Sequence, residues 1–188
     1  VIAAKAKELG SPAYKVVQDG AKVLGNNKDG IDFSLKDSYY GNASFHIPFI
    51  AWYQVMNASL ALTAMEVLKD EIPVTMEQLQ AGIRNTRWQG RMETVLPGVI
   101  IDGGHNEAGV EEFVKTAKRL EKDYPVTLLF AAVGDKDYRH MIETICRELR
   151  LESVIVTEVG GYRSVDVKEP KKLFEEFGQK EIKAIPDV

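Results

Sequence analysis

Residues 99–106, with the sequence VIIDGGHN, decide how the second half of this chain is interpreted. The apolar, β-branched residues from Val99 to Ile101 predict a buried parallel strand. The glycine pair at 103–104 lets the backbone turn sharply where a Cβ would crowd. We expect Asn106 to cap a helix that follows this turn directly.

Two side chains with functional potential lie in the turn between this predicted strand and helix. Asp102 falls at the carboxyl end of the strand, and His105 lies near the helix N-terminus. Open α/β sheets bind ligands at the carboxyl ends of their strands, and the unpaired N–H groups of a helix N-terminus attract phosphate or carboxylate. The segment therefore predicts a binding crevice, with a neutral, hydrogen-bonding imidazole at His105 because the helix dipole disfavours the imidazolium.

From residue 99 onward, apolar runs alternate with amphipathic segments. Strands are predicted at 99–101, 126–133, 153–157 and 182–185, and helices at 108–122, 138–149 and 169–177. We expect Asp137 to cap the second of these helices. The alternation predicts an α/β fold with a Rossmann-like, mostly parallel sheet flanked by helices.

The part of the chain before Trp88 has a different pattern. Helices are predicted at 1–9, 50–68 and 76–83, and strands at 13–17, 31–35 and 43–47. The glycine, asparagine and aspartate residues from Gly25 to Gly30 indicate a turn, so the strands are expected to form an antiparallel hairpin or meander. We predict two domains, 1–87 and 88–188.

Composition excludes several classes of function. The net charge is −4 and the basic residues are dispersed, so no nucleic-acid partner is expected. Cys146 is the single cysteine, which excludes an internal disulfide and fits a reducing, cytoplasmic environment. No apolar run approaches the roughly 20 residues that span a bilayer, so no membrane partner is expected either. Asp19, Asp29 and Asp32 lack metal-ligand spacing, and no metal ligand is predicted.

Four short elements in this chain resemble motifs of the folylpolyglutamate synthase / dihydrofolate synthase family, ATP-dependent amide ligases related to the Mur ligases. The family's W-P-G-R element corresponds to residues 88–91, with Gln89 in place of proline, and its D-G-A-H-N element to residues 102–106, with Gly104 in place of alanine. An H-Q-x-x-N-a-x-x-A-l element corresponds to residues 53–62, with Tyr53 in place of histidine. A K-D pair is found at 136–137.

The resemblance implies an identity for each predicted domain. Residues 1–87 would be the C-terminal part of a central ATP-binding domain, and residues 88–188 a truncated Mur-ligase-type C-terminal domain. The phosphate-loop pattern G-x-x-x-x-G-K-[ST] is missing from the sequence. We therefore interpret the chain as a fragment that is expected to be inactive alone.

The resemblance also implies roles for two groups of residues. In the ATP-binding group, Asn57 would bind the adenine and Gln54, on the same helix face, would support it. Asp102 would lie near the ribose. Arg91 would contact phosphate, for which its planar guanidinium is suited.

In the catalytic and glutamate-binding group, the resemblance implies that His105 lies near the nucleotide or the incoming glutamate. Lys136 would bind the glutamate carboxylate, and Arg91 would act in catalysis through the phosphate. Arg163 and Ser164 follow the third predicted strand and could lie at the same end of the sheet. The simpler interpretations are a surface ion pair for Arg91, a solvated charge for Lys136 and ordinary buried hydrogen bonds for the Gln54 helix.

The implied activity is addition of glutamate to a folate through an acyl phosphate, with ATP and magnesium (Mg2+) as cofactors. The expected partners are small molecules, namely folate or dihydropteroate, L-glutamate and ATP, and the expected state is a monomer. A Mur-type ligase acting on peptidoglycan precursors and a non-catalytic nucleotide-binding module stay open as alternatives. A dinucleotide dehydrogenase is disfavoured because the glycines at 103, 104 and 109 do not form G-x-G-x-x-G.

Overall fold

The computed structural model describes residues 1–17, 19–36 and 39–187, and the chain divides into two compact units, 1–89 and 90–188. Each unit has its own core of buried apolar side chains. Within the described residues, no helix combines the length and the apolar character needed to cross a bilayer.

Unit 1 contains an antiparallel sheet and two packed helices. Its elements are α1 (Ile2–Glu8), β1 (Ala21–Asn27), β2 (Gly30–Leu35), β3 (Ser44–Ile47), α2 (Tyr53–Val67) and α3 (Met76–Arg84). The strands pair in the order β1-β2-β3, and both neighbouring pairs are antiparallel. Phe33 and Phe45 from the sheet and Val55 and Leu62 from α2 are buried together. The predicted meander and the helices α2 and α3 are confirmed.

The first strand of unit 1 was predicted at the wrong place. Residues 13–17 form no strand, and β1 extends into the segment predicted as a turn. The turn is confined to Lys28 and Asp29, where Asn27 Oδ1 accepts a hydrogen bond of 2.8 Å from the Asp29 amide. Gly25 lies instead at an irregularity of the β1–β2 pairing, opposite Asp32. Because most β1 side chains are exposed, the strand has no apolar pattern that sequence reasoning could detect.

Unit 2 contains a parallel sheet and three packed helices. Its elements are β4 (Glu93–Leu96), β5 (Val99–Ile101), α4 (Glu107–Leu120), β6 (Thr127–Phe130), α5 (Tyr138–Glu148), β7 (Ser153–Val156), α6 (Lys168–Glu176) and β8 (Ile182–Ala184). Strands β6, β7 and β8 are parallel and adjacent in that order. Val114, Ile142, Val154 and Phe174 lie in one buried cluster that joins the helices to the sheet. The predicted α/β class is confirmed.

The strand that ends at Asp102 differs from the prediction. β5 pairs antiparallel with β4, and its residues Val99 and Ile101 are 47% and 48% exposed. Among the described residues these two strands form a separate sheet, outside the parallel one. The cause is local, because a turn at Pro97 and Gly98, with the Gly98 φ at +80°, folds β4 back onto β5. The predicted caps are confirmed, since Asn106 and Asp137 accept hydrogen bonds from the amides of Gly109 and His140.

Candidate functional site

Asp102 joins two turns of unit 2 through its carboxylate. Oδ1 accepts a hydrogen bond of 2.7 Å from the Gly104 amide, and Oδ2 accepts one of 3.0 Å from the Met92 amide. A third bond of 2.7 Å connects the Gly103 amide to the Gly90 carbonyl. The turn that carries Arg91 and the turn that leads to His105 are therefore held side by side.

Gly104 stands where the family motif has alanine, and the structure explains why glycine fits here. A Cβ at this position would lie 2.8 Å from Asp102 Oδ1 and 3.3 Å from the backbone of Gly109. Neighbouring atoms would have to move to admit this Cβ, and the nearest of them is the Asp102 oxygen that accepts the hydrogen bond from the Gly104 amide. Glycine thus permits the short bond between the Asp102 side chain and this turn.

His105 is exposed at the start of α4 and has a defined hydrogen bond. Its Nδ1 lies 2.9 Å from the Gly103 carbonyl oxygen. A carbonyl only accepts hydrogen bonds, so Nδ1 carries the proton and donates it. In a neutral ring, Nε2 is then the nitrogen with a free lone pair.

Lys136 is half-buried in the loop that follows β6. Its amide donates to the Val133 carbonyl, and its own carbonyl accepts from the Tyr138 amide, so the backbone of the loop is fixed on both sides. A surface cavity of about 340 Å³ beside the loop is lined by residues of the α5 N-terminus and of α6. In this cavity the Tyr138 hydroxyl donates to Glu169, which raises the pKa of Tyr138 above its ordinary value.

The loops that follow β6 and β7 contact each other. The Gly134 amide donates to the Arg163 carbonyl at 2.9 Å, and Val133 and Ser164 form an isolated antiparallel bridge. Arg163 Nη1 lies 3.7 Å from Asp135 Oδ2. The Ser164 hydroxyl oxygen is buried and has no hydrogen-bond partner among the described residues. The structure therefore brings Arg163 and Ser164 to the loop of Lys136, as expected from the sequence.

The segments that carry His105 and Lys136 are connected by helix packing and not by strands of one parallel sheet. The sequence predicts that the strand before Asp102 belongs to the parallel sheet, but within the described part of the chain β5 pairs with β4 only. The connection is made by packed helices, since α4 and α5 contact each other and His140 Nε2 lies 3.4 Å from Glu107 Oε1. Glu107 and His140 are in the first turns of these helices.

In unit 1, Gln54 and Asn57 are neighbours on α2. Asn57 is exposed, and its Nδ2 donates a hydrogen bond of 2.8 Å to Gln54 Oε1. Gln54 is only 3% exposed, and its Nε2 has no hydrogen-bond partner among the described residues. A buried amide nitrogen without a partner is uncommon in native proteins and needs an explanation, such as a strained group or a missing ligand or water.

Neither a metal centre nor an activated thiol is found in the part of the chain that the structure describes. No three His, Cys, Asp or Glu side chains of these residues gather as possible metal ligands. Burial raises the pKa of the Cys146 thiol to about 11, so the thiol is uncharged at neutral pH and is a poor nucleophile.

Sequence reasoning missed one residue of the site, Glu93. Its Oε2 accepts a hydrogen bond of 2.8 Å from the Gly90 amide, immediately before Arg91. A carboxylate three residues after a glycine turn is a local signal that could have been noticed. The bond depends on the turn conformation, however, with φ at +64° for Gly90 and +48° for Met92.

Comparison with known proteins finds a matching family and several curated relatives of this chain. Residues 90–188 match the family described as Mur ligase, glutamate ligase domain. The dihydrofolate synthase/folylpolyglutamate synthase of Bacillus subtilis (strain 168) is 34% identical over 131 residues, which are 66% of this chain and 30% of that protein. The folylpolyglutamate synthase of Lacticaseibacillus casei is 28% identical over 153 residues, covering 77% of this chain and 35% of that protein.

A solved structure of Mycobacterium tuberculosis folylpolyglutamate synthase, complexed with ADP and AMPPCP, has the same fold. The TM-score is 0.78 at 22% identity, and the match covers 98% of this chain and 42% of that one. The chain thus spans about a third of the length of the two curated relatives, at 30% and 35%.

Proposed function

We propose that this chain, which belongs to the Mur ligase, glutamate ligase domain family, is part of an ATP-dependent ligase that adds glutamate to a folate. In such a reaction a substrate carboxylate attacks the γ-phosphate of ATP, which releases ADP and forms an acyl phosphate. The glutamate amine then attacks the acyl carbon, phosphate leaves and an amide bond remains. The protein must position these groups and neutralise charge, without a nucleophilic side chain of its own.

The observation that carries this proposal lies in unit 2, the part that matches the glutamate ligase domain family. There the Asp102 carboxylate and the hydrogen bond from the Gly103 amide to the Gly90 carbonyl hold the Arg91 turn beside the His105 turn. A guanidinium and an imidazole at a helix N-terminus suit a phosphoryl group that is being transferred. In this proposal Arg91 neutralises that group, and Asp102 lies near the ribose.

His105 and Lys136 complete the proposed site. Because His105 donates through Nδ1, its neutral Nε2 is available to accept the proton that glutamate loses as its amine attacks. Lys136 is held in a fixed loop at the carboxyl end of β6, where an ammonium can bind a glutamate carboxylate. Arg163 and Ser164 reach the same loop, where Val133 and Ser164 form a bridge and Arg163 lies near Asp135.

The nucleotide base is proposed to bind at α2 of unit 1. The Nε2 of Gln54, which has no hydrogen-bond partner among the described residues, and the exposed amide of Asn57 are donors and acceptors of the kind that an adenine edge requires. Magnesium would accompany the nucleotide phosphates, and among the described residues no three His, Cys, Asp or Glu side chains gather as its ligands. We propose that the reaction takes place in the cytoplasm and that the full-length protein is a monomer.

The test compares this 188-residue chain with the full-length protein that contains it. The full-length protein should release ADP only when glutamate and a folate or dihydropteroate are both present. The isolated chain, without a phosphate loop, should show no glutamate-dependent ATP hydrolysis above a buffer control. Turnover by the isolated chain would contradict the interpretation as a fragment.

The same assay separates the alternatives. A Mur-type ligase would turn over with a peptidoglycan precursor and not with folates. A non-catalytic module would bind ADP, as measured by calorimetry. It would form no ADP from ATP with any combination of substrates. Either result with the full-length protein would replace the folate ligase as the proposed function.

A further inference from the structure

The backbone of Arg91 is held on both sides by carboxylates. On its N-terminal side, the Gly90 amide donates to Glu93 Oε2 at 2.8 Å. On its C-terminal side, the Met92 amide donates to Asp102 Oδ2 at 3.0 Å. Charge-assisted hydrogen bonds of this kind are stronger than those between neutral groups, so the Gln89–Gly90 and Arg91–Met92 peptide groups have defined orientations.

The conformation of this turn requires such support. Met92 has a φ of +48° and is only 3% exposed. A left-handed backbone is unfavourable for a residue with a long side chain and persists where surrounding bonds hold it. Gly90 also has a positive φ, so the chain on either side of Arg91 is in an unusual conformation.

We infer that Glu93 is a positioning residue, which acts with Asp102 as a carboxylate clamp that aims the Arg91 guanidinium. The link to phosphate rests on the proposed function, whereas the clamp itself concerns only this chain. Glu93 begins β4 and pairs with Ile101, the last residue of β5, so its backbone is anchored to the strand that immediately precedes Asp102. The two carboxylates therefore hold the turn from one hairpin.

A simpler role for Glu93 is to stabilise the hairpin, without any effect on the orientation of Arg91. The two roles give different results when the substitutions are combined. If Glu93 acts through Arg91, its removal has no consequence once the guanidinium is gone, whereas an independent structural effect would add to the loss. A double-mutant cycle on Arg91 and Glu93 thus separates them.

In the full-length ligase, Glu93→Ala should lower kcat about tenfold to a hundredfold, because a small misplacement of a positioning group is costly. Glu93→Gln keeps an oxygen that can accept from the Gly90 amide, and should recover most of this loss. Arg91→Ala/Glu93→Ala should be no slower than Arg91→Ala. Full activity of Glu93→Ala, or a double variant slowed by the product of both factors, would overturn the inference.

Glu121 provides a matched control. Its Oε2 accepts a 2.8 Å bond from the Arg150 amide, where the chain leaves α5, so Glu121→Ala removes the same type of bond away from Arg91. This variant should resemble Glu93→Ala in its effect on Tm and keep the wild-type kcat. An equal fall in kcat for both variants would show that general destabilisation explains the result.

Amide hydrogen exchange on the 188-residue chain tests the clamp without any assay of activity. Glu93→Ala should speed exchange at Gly90 by about tenfold, as expected when a hydrogen bond that protects an amide is lost. The Arg150 amide should keep its rate, and Glu121→Ala should give the reverse pattern. Unchanged exchange at Gly90 would overturn the inference, even if the proposed ligase activity is found.

If the full-length protein proves not to be a ligase, the proposed function fails, and tripolyphosphate binding to this chain replaces kcat as the readout. Glu93→Ala and Arg91→Ala should then weaken that binding to a similar extent, with Glu93→Gln close to wild type. Unaltered binding in Glu93→Ala would reject the clamp on its own account.

Discussion

Gln54 and Asn57 lie on a helix whose neighbouring residues Val55, Ala58 and Leu62 pack in the core of unit 1. Arg91 and His105 of unit 2 lie instead in turns, which backbone amides and the Asp102 carboxylate hold together. The first pair is placed by apolar packing, and the second by directional polar bonds. Substitutions in a core and substitutions of an acceptor should therefore disturb different parts of the proposed site.

The largest expected effect tests whether the two cores are independent. Phe33 in unit 1 and Phe174 in unit 2 are fully buried, and truncating each to alanine should cost about 3–5 kcal/mol in the free energy of unfolding. Hydrogen exchange should show the loss of protection mainly in the unit that carries the substitution. Equal loss across both units would show that the two cores unfold together and are not independent.

The next prediction concerns Arg91, which lies in one of the two connected turns of unit 2. Arg91→Ala in the full-length ligase should lower kcat by about a hundredfold to a thousandfold, since removing one preorganised group that stabilises transition-state charge has this cost. Folate binding should be nearly unchanged, because a phosphate clamp acts on the transition state. Steady-state kinetics and a folate titration measure both quantities, and an unchanged kcat would remove Arg91 from the mechanism.

A smaller effect is expected at Lys136, which tests whether its loop belongs to the same site. Lys136→Ala should raise KM for glutamate about tenfold to a hundredfold, since a hydrogen bond to a charged group contributes roughly 1.5–3 kcal/mol. KM for ATP should change little. With the two substrates varied separately, changes within about twofold in both constants would identify Lys136 as a solvated charge.

Substitution of Gln54 is expected to increase the stability of the protein and to weaken the binding of ATP. Gln54→Met keeps a side chain of similar length and removes the buried Nε2 that has no partner among the described residues, so unfolding should cost about 1 kcal/mol more. If α2 binds adenine, KM for ATP should rise in the same variant. A variant that is more stable and keeps the wild-type KM would show that Gln54 is not part of the nucleotide site.

Local signals in the sequence predicted the helices well. Thr75 and Gln78 form a capping box at the start of α3, and Asn106 and Asp137 cap α4 and α5, so the bonds that begin these helices join residues only three positions apart. Strands depend on partners that the local sequence does not reveal. β1 and β4 were missed for this reason, because both expose most of their side chains and lack an apolar alternation.

The candidate site could be predicted only in part, for the same physical reason. Arg91, Asp102 and His105 were expected to meet, and the hydrogen bonds of Asp102 do bring their turns together. The role of Glu93 could be derived only in part, because its spacing from Gly90 is a local signal, whereas the positive φ angle of Met92 is not indicated by its residue type. The contact between α4 and α5 near Lys136 likewise follows from tertiary packing.

The order β6-β7-β8 has a consequence for how this chain behaves at high concentration. Among the described residues β6 and β8 are the two outer strands of the parallel sheet, and their outer backbone groups pair with no further strand of it. β8 carries the charged Lys183, whereas β6 has the sequence TLLF, in which Leu129 is 55% exposed. Uncharged outer strands recruit strands of other molecules, and a lysine discourages this. We expect the isolated chain to self-associate through β6 and Leu129→Lys to reduce that association; light scattering that is equal for both proteins would show that β6 is not the contact.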